Sequence, residues 1–147
     1  MKFGFHALSS SLNYSTETKA NAKSHYDTFV SGILKLSNNI YSIDRMPRLH
    51  NFAGNLESCE GMRDTLIGPV GFLTADDNRD SYYLTSTQSA YINKNEKIFD
   101  PTNFLKFAKS ETRFESTQSV TAWLDTFNTK TRGNMGKELI CFSVNVS

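Results

Sequence analysis

Cysteine is scarce in this chain of 147 residues: Cys59 and Cys141 are the only two, and neither has the close neighbour of a CxxC pair. A lone pair so widely spaced, in a chain read as cytosolic, points to two reduced thiols rather than a bridge. Long apolar runs are missing as well. The longest, Leu66 to Leu73 and Leu139 to Val146, are strand-sized, well short of the ~20 residues that cross a bilayer. Phe3 to Leu8 is cut off by Ser9-Ser10-Ser11, too early for the apolar core of a secretion signal. The expectation is a soluble, cytoplasmic protein with no membrane contact. An excess of charge is missing too. Charged residues make up 21% of the chain and the formal net charge is +1, which leaves no overall field to steer it onto nucleic acid or an anionic surface.

What is present suffices for one core. Leu, Ile, Val and Phe account for 35 residues, above the level at which a chain cannot bury enough apolar surface to fold. Ser, Thr and Asn account for 44, a neutral-polar surface. The length is that of one domain, so residues 1–147 are read as a single α+β unit.

Periodicity supplies the elements. Phe3, Phe5 and Ala7 alternate with polar or small neighbours as in a half-buried strand. Tyr26, Phe29, Val30, Ile33, Ile40 and Tyr41 form one stripe of a long helix capped by Ser15 or Thr16 and ended by Asn38-Asn39. Residues 43–65 fit neither period, and are either a long functional loop or a loop shortened by a helix near Asn55 to Met62. Pro69 forces the next strand to an edge, into a bulge, or to a start at Val70. Residues 76–80 read as a polar turn, and Ser81 to Thr87 and Ser89 to Asn93 as further strands of a meander. Asp100-Pro101 reads as the start of a short helix through Ala108, and Val120, Trp123, Leu124 and Phe127 as one face of another. Ile140, Phe142, Val144 and Val146 alternate as a last strand, able to lie beside the first. The predicted architecture is a mostly antiparallel sheet of four to five strands with one long N-terminal helix and two short helices packed on it. Its core joins Phe29, Val30 and Ile33 to Trp123, Leu124, Phe127, Phe142 and Val144.

Few residues suggest chemistry. No HExxH or Gly-rich phosphate loop occurs, and His6, His25 and His50 are isolated in sequence. Arg45, Arg48 and His50 share the aperiodic segment, where two guanidinium forks and an imidazole would suit a phosphate or carboxylate. Cys59 lies among Glu57, Glu60 and Asp64, which raise a thiol pKa and argue against a nucleophile. Asp76, Asn78 and Asp80 match the start of a calcium loop, but Ser81 stands at its glycine position and Thr87 at its bidentate glutamate position. Tyr82, Tyr83 and Tyr91 would permit base stacking, yet only Lys94 and Lys97 are near and the RNA-binding pattern is absent.

The leading expectation is a non-catalytic binding or interaction protein using a sheet face or the 43–65 loop, with a protein partner or a second copy of itself. The alternative is an enzyme for a small anionic substrate, its pocket between sheet and long helix, with His50 as acid or base and Arg45 or Arg48 as orienting groups. The ligand-binding candidates are Arg45, Arg48 and His50; no metal, cofactor or nucleic acid is expected.

Overall fold

Thr18, in extended conformation, accepts the Asn21 amide on its side chain and opens α1, Lys19–Ser37. The structure, a computed structural model, describes residues 1–75, 77, 79–110, 112–114, 119–133 and 142–144. Helix α1 starts two or three residues later than Ser15 or Thr16 would place it, and it ends where expected, at Asn38 in the left-handed conformation. Of its stripe, Tyr26 and Val30 are buried, Phe29 and Ile33 pack against the core, and Ile40 and Tyr41 lie past the helix in solvent.

The first segment is not a regular strand. A single parallel bridge joins Phe3 to Ile43, and the His50 amide donates to the His6 carbonyl at 3.2 Å. Phe5 nonetheless goes into the core, against the rings of Tyr14, Tyr26 and Phe29. The 43–65 segment resolves in favour of a helix, α2, Leu56–Arg63. Asn55 starts it by accepting the Ser58 amide at 2.7 Å, while its side-chain amide donates to the Ser15 and Glu17 carbonyls. One side chain thus caps α2 and ties it to the turn before α1.

Strand β1, Gly71–Thr74, begins just past Pro69 and Val70, as that proline requires. Helix α3, Ser86–Asn95, is followed by β2, Lys97–Asp100, and β3, Leu105–Lys109. These strands form a mixed sheet in the order β1-β3-β2, with β1 parallel and β2 antiparallel to β3. Beyond it, β4, Thr112–Phe114, pairs in parallel with β5, Phe142–Val144, and α4 spans Val120–Gly133.

The α+β class stands, but the mostly antiparallel sheet of four to five strands is overturned by what the described residues form, a three-stranded mixed sheet and four α-helices. Two local causes explain it. Residues 86–95 are helical because Thr85 and Gln88 form a reciprocal capping box, which satisfies two helix-end groups and outweighs the strand preference of Tyr91 and Ile92. Residues 105–109 are a strand because the Asp100 carboxylate accepts the amides of Thr102 and Asn103 in a tight turn, not as the cap of a helix. The last strand lies beside β4 and not beside the N-terminal segment. As the central strand, β3 buries Leu105 and Phe107 on one face, while the other carries the exposed Lys106 and the small, buried Ala108.

The core is one cluster running from Phe5, Tyr14 and Tyr26 through Leu49, Cys59 and Met62 to Phe72, Ile92, Leu105 and Phe107. Leu124, expected within it, is 45% exposed. The side chains of Trp123, Phe127, Phe142 and Val144, also expected there, lie outside the described residues.

Candidate functional site

The aperiodic segment brings some of its singled-out residues together and separates others. Arg45 turns its Nε to the Gly68 carbonyl at 2.8 Å. Arg48 instead places its guanidinium 5.4 Å from the centre of the Phe52 ring, and Arg79 approaches the same ring at 5.9 Å. His50 meets His6: His6 Nε2 and His50 Nδ1 are 3.1 Å apart. His6 Nδ1 lies 2.9 Å from the Arg48 carbonyl, which only accepts, so Nδ1 carries hydrogen and Nε2 accepts from His50 when both rings are neutral. The backbone here is strained. Asn51, Phe52 and Tyr82 have φ of 55°, 57° and 57°, a region that bulky residues rarely enter, and the Tyr82 amide donates to the Phe52 carbonyl at 2.8 Å.

Burial holds the His6 pKa below its ordinary 6.5, aided by the charges of Arg48 and His50 and opposed by the bond to the Arg48 carbonyl. The unfolded chain therefore takes up a proton on His6 at a pH where the folded chain resists it. Folded stability should rise with pH through the window below about 6.5 and fall on acidification. Urea unfolding at a series of pH values in that window checks this. The His6→Gln variant is expected to show a shallower acid loss than the parent, and an unchanged slope would remove His6 as the cause.

A second arrangement lies on the sheet. Register sets Lys106 opposite Phe99 on one side and Gly71 on the other, with Ala108 opposite Lys97 and Leu73 two positions along. Paired and alternate positions share a face, so this face carries two lysines, a phenyl ring and a low floor. Gly71 is required: a Cβ there would meet the Lys106 carbonyl oxygen at 2.0 Å. Glu96, left-handed at φ 71°, turns α3 directly into β2 and brings Tyr91 to the same face. The result is an open groove of about 620 Å³ lined by Met46, Val70, Tyr91, Ile98, Phe99 and Phe107, with Lys97, Lys106 and Ala108. Tyr91 is 52% and Phe99 49% exposed.

Neither Arg45, Arg48 nor His50 lines this groove. Tyr91 and Lys97 were visible in the sequence as a neighbouring ring and cation; Phe99 and Lys106 were not, because only strand register unites them. The other chemical candidates stay apart. Cys59 is a free, fully buried thiol, and desolvation, with the charge of Glu60, pushes its pKa far up, the opposite of an activated nucleophile. Among the described residues no group of three or more His, Cys, Asp or Glu is placed to hold a metal ion, and no helix is long and apolar enough to cross a membrane. No protein-family model, curated protein or solved structure matches this chain significantly.

Proposed function

We propose that this chain is a cytoplasmic, non-catalytic binding protein whose site is the groove on the β1-β3-β2 sheet. One observation carries the reading: Tyr91 and Phe99 stand half-exposed over an apolar floor, in a groove of about 620 Å³. Large rings held at a surface retain unfavourable contact with water, and a concave cluster of them regains that free energy when a ligand covers it. The volume falls within the ~300–1,000 Å³ typical of ligand pockets. Arg45 and Arg48, which an enzyme for an anionic substrate would aim at its pocket, instead engage Gly68 and Phe52.

Fluorescence titration with anilinonaphthalene sulfonate, an aromatic anion, tests the groove. The native protein is expected to bind it saturably at one site, and the Tyr91→Ser, Phe99→Ser double variant about tenfold more weakly, with the far-ultraviolet circular dichroism unchanged. Equal binding by both proteins, or none by either, would remove the groove as a ligand site.

A further inference from the structure

We infer that the occupant of the groove is an acidic segment of a partner protein, an extended stretch of carboxylates around an aromatic or branched apolar anchor; this rests on the groove being the binding site. Three observations carry it. The apolar surface outruns the groove: Phe104, 73% exposed, lies edge-on to Phe99 with ring centres 6.5 Å apart. Phe104 is held there in the left-handed conformation at φ 51°, following the turn in which the Asp100 carboxylate accepts the Thr102 and Asn103 amides and the Asn103 side-chain amide. A row of rings reaching from Tyr91 through Phe99 to Phe104 is longer than a small ligand needs and suits a chain laid along it.

Charge complementarity supplies the second. Lys106 rises from the central strand between Phe99 and Gly71, and the described residues lining the groove include lysines but no carboxylate. A carboxylate beside an apolar anchor would meet an ammonium group at the end of an apolar stem. The third is the edge. Strand β2, which carries Phe99, has β3 on one side and no described strand on the other, the arrangement an extended peptide uses to lie alongside a sheet. A nucleic acid fits less well, because its phosphates call for several cations along a track, whereas the lining is mainly apolar and the net charge of the chain is +1.

Selection from a displayed library of random peptides of about twelve residues tests the inference without presuming a sequence. The full chain serves as bait, with Phe99→Ser protein as counter-selection. Selected peptides are expected to be enriched in Asp and Glu around a Phe, Trp, Leu or Ile. Their affinity should fall about tenfold in Lys106→Glu, be retained in Lys106→Arg, and weaken with rising ionic strength. Peptides that bind through Tyr91 and Phe99 but are neutral or basic would overturn the acidic partner while leaving the groove as the site. Tighter groove-dependent binding of single-stranded oligothymidylate would overturn it in favour of nucleic acid. If neither peptide nor anilinonaphthalene sulfonate binding depends on Tyr91 and Phe99, both readings fall.

Discussion

Replacing Phe107 by alanine is expected to destabilise the fold by ~3–5 kcal/mol, the range for removing a buried phenyl ring. That is a large part of the ~5–15 kcal/mol available to one domain. Phe107 is fully buried in the central strand, and its ring lies 6.2 Å from Phe72, 5.5 Å from Tyr82 and 5.5 Å from Tyr83, centre to centre. Three further rings lose a neighbour when it goes. Phe107→Leu, which keeps most of the volume, is expected to cost less than ~1.5 kcal/mol. Urea denaturation measures both. A loss below about 1 kcal/mol for the alanine variant would mean that the sheet does not pack through this ring. Loss of stability in this variant would mask any effect on binding, so the exposed Phe99 is the residue for testing the groove.

Gly61→Ala is expected to cost ~2 kcal/mol or more, against the usual direction for a helix. Alanine in place of glycine in a helix interior ordinarily gains ~1 kcal/mol. At Gly61, however, the added Cβ would sit 2.2 Å from the Lys19 carbonyl oxygen, a backbone atom that cannot swing aside. The contact between α1 and α2 must then open, and overpacking of that kind costs ~1–3 kcal/mol, occasionally more. Gly32, in α1 with nothing within 4 Å of its added Cβ, provides the opposite sign: Gly32→Ala should stabilise by ~0.5–1 kcal/mol. If both variants shift the urea midpoint upward, the close crossing of α2 over the start of α1 is wrong.

How far the fold was legible in the sequence follows from where its determinants lie. The α1 stripe, its end at Asn38, the helix begun at Asn55 and the strand delayed past Pro69 all rest on signals within a few residues of each other. Helix α3 carries such a signal too, the Thr85 to Gln88 spacing, but it competes with the strand preference of Tyr82, Tyr83, Tyr91 and Ile92. The central strand was hidden for a different reason. Leu105 to Lys109 takes its place as β3 between β1 and β2, a pairing with two other segments that nothing inside these five residues announces. The site divides in the same way. His50 and Arg48 were found as chemistry-bearing types in an irregular segment, but nothing local indicates that His6 would meet His50, or that Arg45 would turn to Gly68. Phe99 and Lys106 face each other through antiparallel register, a relation between two strands that neither segment contains alone.

Amide chemical shifts of the labelled protein, followed while an acidic peptide obtained from the library selection is titrated in, test the binding account most directly. Perturbations are predicted to cluster on Met46, Val70, Tyr91, Lys97 to Phe99 and Lys106 to Ala108, with the His6, Arg48 and His50 amides little changed. Perturbations centred on Arg48 and His50, with the sheet residues silent, would contradict it and move the site to the paired histidines.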